Sequence, residues 1–510
     1  MGNKAKGIVY LIGAGPGDPE LITVKGKDCL ESADVVVYDK LVGESVLALA
    51  HKDAELIYVG KKRGHHTMSQ GEINELLIKK AHGGLRVARL KGGDPFIFGR
   101  GGEEAMELSK AGVSFEVIPG VTSAIAVPTY AGIPLTHRDL SSITCFITGH
   151  EDPTKKASNI NWDALALSTG TLVFLMGIGN LGRITKRLIQ GGRPSTTPAA
   201  VIGSGTTSRQ VAATGTLATI EKEAKDVGIT PPGVIVIGDV VNLREQLSWF
   251  ESRPLFGRRI LVTRPKEQAA DFVKLLTELG ARCEVFPTIQ IVPPETWDGL
   301  DRAIESLASY EWILFTSING VRYFFDRLTR AGKDARALGG IKIGVIGPKT
   351  QEAVRAKGIN ADLMPDTYWT EGLAGELKEY SIGGKRILIP RPNIASDDLS
   401  KSLQALGAVV DEVESYVTRK PEYAPNNLKE IFQVKGINLI TFTSPSTVAN
   451  FVEICRDNDI YDQISGIAVA CIGPVTAERA TEEGLEVAIV PDEYTIDSLA
   501  EAIVKYYKSR

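Results

Sequence analysis

The second half of the chain is written twice. RRILVTRP at 258–265 returns as KRILIPRP at 385–392, and WILFTSINGVRYFF at 312–325 returns as LITFTSPSTVANFV at 439–452. The block at 343–373, beginning IGVIGPKT, returns at 469–499 as VACIGPVT and its continuation. The offsets are 127, 127 and 126 residues, so residues 258–510 are two copies of one unit, and the first half has no such copy. The boundary falls in LREQLSWFESRPLFGRR, where a helical pattern ends in aromatics, Pro254 follows, and a strand opens at Arg259 or Ile260. Both halves alternate short Val/Ile/Leu runs with helical patterns, which predicts an α/β protein with parallel sheets and helices outside. The fully apolar runs TLVFLM (171–176) and GVIVIG (233–238) suit strands covered on both faces.

Composition removes several function classes. A chain of 510 residues exceeds one ordinary core and predicts two to four domains. Its net charge of -4 gives nucleic acid or a membrane surface no electrostatic hold, so a polyanionic ligand must be met by local groups. No apolar run reaches 18 residues, and the N-terminal run leads into a strand rather than a signal peptide; a cytoplasmic location is expected. Cys29, Cys145, Cys283, Cys455 and Cys471 form no C-x-x-C pair, which points to reduced thiols. All six histidines lie in the first half without metal-ligand spacing, and no metal is expected.

The stretch YLIGAGPGDPELIT (10–23) brings a strand into clustered glycines but breaks both phosphate-binding patterns. A dinucleotide fingerprint needs glycine where Asp18 stands, and a P-loop needs Gly-Lys-Ser/Thr after Gly17. Pro16 removes a backbone donor as well. Further Gly-rich or polar loops follow predicted strands at 89–104, 118–128, 132–139 and 174–181. In this order and spacing the loops resemble the tetrapyrrole methylase family across residues 7 to about 248, and within it the uroporphyrinogen-III C-methyltransferases. That resemblance implies a two-lobed methylase fold over 1–250, with lobes at about 7–130 and 135–248.

It further implies S-adenosylmethionine in contact with Pro16, Gly92, Gly93, Asp94, Ile97, Thr122, Ser123, Met176 and Gly205. Asp39 becomes a proton acceptor and Lys61 a proton donor. Arg89, Arg100, His137 and Arg138 become substrate contacts, since guanidinium clasps carboxylate bidentately. The chemistry asks for such groups independently: carbonyls from glycine turns and a carboxylate suit a sulfonium, and carbon methylation needs one placed base. Read alone, Asp39 serves equally as a helix cap, and Lys61, Lys62 and Arg63 as a solvated basic turn. The resemblance leaves open whether this half forms a homodimer, and other acceptors (a later corrin intermediate, diphthamide or RNA) stand as alternatives.

The duplicated half has no histidine, nucleophile elbow or metal cluster. It has strands ending in hydroxyls at helix starts: Thr316, Ser317 and Asn319; Thr443, Ser444 and Ser446; Thr350; and Thr476. Capping explains any one of them, while four such starts suit carboxylate binding without fixed cations. The motifs ILVTRP, FTSxNGV, FTSPS and CIGPVT resemble uroporphyrinogen-III synthase over about 258–510, with 251–510 as the module. That family implies two flavodoxin-like lobes, one from 258–292 plus 420–510 and the other from 293–419, and no cofactor. It implies dehydration and cyclisation of hydroxymethylbilane with inversion of ring D, and Tyr416 as the acid for the departing hydroxyl. A bilobal sensor that binds without turnover is the alternative. Together the resemblances imply consecutive steps leading to precorrin-2, toward sirohaem or cobalamin.

Overall fold

A computed structural model describes residues 7–60, 68–151, 159–365, 370–394, 397–421, 423, 431–432 and 436–509. Lys61 and the His65–His66 pair lie outside the described residues. Contacts divide the chain near Arg259, with residues 276–282 and 507–510 grouping with the first part.

The first part holds two five-stranded sheets. Strands β1 (Ile8–Gly13), β2 (Val35–Tyr38), β3 (Glu55–Tyr58), β4 (Arg86–Lys91) and β5 (Ser114–Ile118) form a parallel sheet ordered β3-β2-β4-β1-β5. Strands β6 (Thr144–Thr148), β7 (Thr171–Leu175), β8 (Pro198–Gly203), β9 (Val211–Thr216) and β10 (Gly233–Ile237) follow in the order β6-β7-β10-β8-β9. Here the parallel expectation is corrected. Only β6–β7 is parallel, and β7–β10, β10–β8 and β8–β9 are antiparallel. The loop 204–210 carries no crossover helix, so β9 returns beside β8 as a hairpin. Burial still follows composition, because β7 is buried at every position and β10 at all but its first. Apolar clusters centred on Leu172, Phe174 and Ile235 and on Val173, Val234 and Val236 cover the two faces.

The second part also holds two five-stranded sheets. Strands β11 (Arg259–Val262), β12 (Arg282–Val285), β18 (Leu439–Phe442), β19 (Ala468–Cys471) and β20 (Val487–Ile489) are ordered β12-β11-β18-β19-β20. Strands β13 (Gln290–Val292), β14 (Trp312–Phe315), β15 (Lys342–Val345), β16 (Arg386–Pro392) and β17 (Val409–Arg419) are ordered β13-β17-β16-β14-β15. The registers of this fourth sheet are parallel except β13–β17, which is antiparallel. The two sequence copies are therefore interleaved: β11 opens the first copy and pairs with β18 of the second, Leu261 opposite Ile440. Phe286, Phe442 and Phe451 fill one core, and Phe315, Phe324 and Leu328 another.

Candidate functional sites

The C-terminal ends of β1, β4 and β5 deliver three glycine turns to one place. Gly15 N–H donates to Gly93 O at 3.3 Å, and Gly93 N–H donates back to Gly15 O at 2.7 Å. A Cβ on Gly13 would stand 2.5 Å from Gly120 Cα, and one on Gly120 would stand 2.3 Å from Gly93 O. Only glycine lets these backbones touch. Asp94 pins the arrangement: its Oδ1 accepts from Phe96 and Ile97 N–H, and its Oδ2 accepts from Gly120 N–H at 3.0 Å. Thr122 caps the helix Ser123–Tyr130 and is buried, while Ile97 is half exposed.

Asp18, the residue that breaks the dinucleotide pattern, ties this crevice to the second sheet. Its N–H donates to Thr206 Oγ1 at 3.2 Å, and its carboxylate accepts from Tyr130 O–H at 2.8 Å and from Glu20 N–H at 2.9 Å. Burial and this carboxylate both raise the Tyr130 pKa, so the phenol remains a donor. Gly205 lies in the same β8 loop, where a Cβ would fall 2.5 Å from the Val127 side chain. Left-handed backbone at non-glycine residues gathers in these loops. Phe98 and Arg100 follow β4, Met176 follows β7, and Ser204 and Thr206 follow β8, with φ between 48° and 64°. Such backbone at strand ends is frequent at ligand sites, and motif spacing alone could not reveal it.

Asp39 follows β2 directly and is partly exposed, its side chain at 28%. Its Oδ1 accepts from Leu41 N–H at 3.0 Å in a local turn, while the helix it was expected to cap, Glu44–Leu47, starts at Gly43 without a side-chain cap. Its Oδ2 stands 3.6 Å from Arg89 NH2. Arg89, expected as a substrate contact, is 3% exposed, ion-paired to Glu104 at 3.2 Å, and bonded to the carbonyls of Val37 and Leu90. It stands in the middle of β4, which is buried from Val87 to Lys91. Arg100 is exposed and forks onto Glu103. His137 closes a tight turn with Ser141, and the neighbouring Arg138 is exposed.

In the second part, Tyr416 and Ser317 meet. Tyr416 on β17 is 5% exposed, shares a 2.9 Å hydrogen bond with Ser317 Oγ, and stacks on Tyr323 at 5.8 Å. Burial raises its pKa. Ser317 also caps the helix Ile318–Arg330, accepting from Gly320 N–H at 3.0 Å. Ser444 caps its helix reciprocally with Thr447 and reaches Ser446 at 3.0 Å. Thr350 and Thr476 are buried in the first turns of their helices. Thr316 and Thr443 are half-buried at the matching strand ends, and Asn319 is half-buried in the first turn of the helix Ile318–Arg330.

Sequence reasoning missed Arg264, two residues beyond β11. Its Nε is buried without a hydrogen-bond partner, and burial pulls its pKa down. Its copy in the repeat, Arg391, is held by Asp397 at 3.0 Å and by Glu412. The signal was available: the repeat aligns the two arginines, but only the second has those carboxylates beside it.

A glycine crevice joining a parallel and a mixed sheet, followed by a two-sheet module of interleaved repeats, defines a two-module α/β biosynthetic enzyme. Residues 8–221 match the model of the tetrapyrrole (corrin/porphyrin) methylases, and residues 270–501 match that of uroporphyrinogen-III synthase. The porphyrin biosynthesis protein HemD of Ruminiclostridium josui is 40% identical over 98% of each chain. A uroporphyrinogen-III C-methyltransferase of Bacillus subtilis is 44% identical over 65% of this chain and 68% of its own. The S-adenosyl-L-methionine-dependent uroporphyrinogen III methyltransferase of Methanosarcina barkeri is 53% identical over 48% of this chain and 96% of its own. The chain belongs to the family in which a tetrapyrrole methylase is fused to a uroporphyrinogen-III synthase.

Proposed function

We propose that the two modules carry out consecutive steps. The second dehydrates and cyclises hydroxymethylbilane to uroporphyrinogen III, and the first methylates that product at C2 and C7 to give precorrin-2. The observation supporting this most directly is the match of the R. josui protein across both modules. The division falls at about residue 250, with the first module in two lobes and the second in two lobes of interleaved copies.

The glycine crevice fits S-adenosylmethionine. Side chains at Gly13, Gly93 and Gly120 would fill or distort it, and in the family reading Pro16, Gly92, Gly93, Asp94, Ile97, Thr122, Ser123, Met176 and Gly205 contact the cofactor. The cofactor supplies an electrophilic methyl group. Asp39 takes the proton that the macrocycle releases, and orientation in the crevice contributes much of the acceleration. Lys61 is the donor in the family reading, while Arg100, His137 and Arg138 receive the acidic arms. In the second module, the Tyr416 hydroxyl protonates the departing hydroxide, its raised pKa keeping it protonated. Ser317 orients that phenol, and the hydroxyls at Thr316, Asn319, Thr443, Ser444, Ser446 and Thr476 receive carboxylates. This chemistry needs no cofactor in the second module. No described helix is long and apolar enough to cross a membrane.

The test feeds hydroxymethylbilane to the purified protein with and without S-adenosylmethionine and identifies products by absorption and mass. Uroporphyrinogen III alone, becoming dimethylated when the cofactor is added, is expected. Formation of only the type I isomer would remove the synthase assignment.

A further inference from the structure

The base assigned to methylation has a buried support of its own. Parallel pairing of β2 with β4 sets Val37 opposite Arg89 and Tyr38 opposite Leu90, so Asp39 leaves β2 beside Lys91. Arg89 and Lys91 are two apart on β4 and share one face. Glu104, from the helix Gly101–Lys110, is fully buried against that face. Its Oε1 accepts from Lys91 Nζ at 2.9 Å, Gln70 Nε2 at 3.0 Å and Arg89 Nε at 3.2 Å. Its Oε2 is buried with no hydrogen-bond partner. Arg89 then turns its outer nitrogen to Asp39 at 3.6 Å.

From this geometry we infer that Glu104 is a positioning residue for methylation, balancing Lys91 and fixing Arg89 so that Arg89 aims the Asp39 carboxylate into the crevice. The inference rests on Asp39 being the base. Three donors on one oxygen exceed what a helix–sheet contact needs, and a carboxylate is a costly group to bury for packing alone. Two cations, Arg89 and Lys91, face two carboxylates, Glu104 and Asp39, so removing either carboxylate alone leaves a net positive charge. Lys91 feels the balance: burial and the neighbouring Arg89 lower its pKa, while Glu104 and Asp39 raise it. Loss of the Glu104 charge leaves Asp39 as the one carboxylate of this cluster facing two buried cations and pulls it back from the crevice.

The full-length protein tests this with Asp39→Asn, Glu104→Gln and the double variant Glu104→Gln/Lys91→Met, all assayed for methylation and cyclisation. Glu104→Gln is expected to lower methylation kcat roughly 10- to 100-fold, the scale on which an ångström of misplacement acts. KM for uroporphyrinogen III, Kd for S-adenosylhomocysteine and the cyclisation rate stay near wild type. The double variant restores neutrality and recovers most of the lost kcat, which a packing role does not predict. A Glu104→Gln kcat within about twofold of wild type, or a double variant no faster than the single, overturns the inference. Should Glu104→Gln fail to fold, the double variant alone decides: folded and active supports charge balance, folded and slow overturns it. Full activity in Asp39→Asn defeats the base assignment and this inference together, whereas an inactive Asp39→Asn beside an active Glu104→Gln defeats only the inference.

Discussion

Asp18 shows how one residue that spoils a familiar motif becomes informative. In a dinucleotide fold its position admits only glycine, yet here its amide and both carboxylate oxygens are engaged, one of them by Tyr130. Asp18→Ala is expected to cost about 1–2 kcal/mol of stability, from a lost cap and a lost charge-assisted bond, and to weaken S-adenosylhomocysteine binding. Thermal melting and calorimetry check both. Tyr416→Phe keeps the ring stacked on Tyr323 and removes the hydroxyl that meets Ser317. Its cyclisation rate should fall by about 10²-fold or more; an unchanged rate in a product assay would strike Tyr416 from the chemistry. At this scale the sequence was uneven. The resemblance singled out both Asp39 and Arg89, but the burial of Arg89 and its ion pair with Glu104 are invisible in a motif. Arg264 could be aligned with Arg391 from the repeat, but its buried, partnerless Nε could not be read from the sequence.

Among elements, the glycine turns were the most readable and the strand directions the least. Clustered glycines after apolar runs announce backbone approach, and the turns at Gly13, Gly93 and Gly120 do touch. Gly13→Ala is therefore expected to destabilise the first module by about 1–3 kcal/mol and raise Kd for S-adenosylhomocysteine, because a Cβ meets backbone on two sides. Calorimetry on the purified variant measures this, and wild-type affinity would mean the turns move apart freely. The antiparallel pairs of the second sheet escaped prediction for a simple reason. A strand buried on both faces reads as a continuous apolar run whichever way its neighbours point, and β7 and β10 are such strands. The hydroxyl-rich helix starts were read with two meanings, and Ser317 fulfils one as a cap while contacting Tyr416.

For the molecule as a whole, the expected independence of the modules is testable with one substitution. Asp39→Ala should abolish methylation while cyclisation continues at the wild-type rate, followed by mass analysis of the products; loss of both in a normally folded protein would mean the steps share a site. The α/β class and the repeat were plain from periodicity and offset, but the interleaving of copies was not a matter of spacing. It follows from β11 choosing β18 across 178 residues, the separation of the Thr263–Thr441 hydrogen bond. That pairing imposes a timetable on synthesis. As the chain leaves the ribosome, the first two sheets close by residue 237 and the fourth by residue 419, while β11 and β12 wait for β18. Until then their edges lack these partners and stay open to other chains, and a chaperone that holds residues 259–285 until residues 439–489 have emerged would cover them.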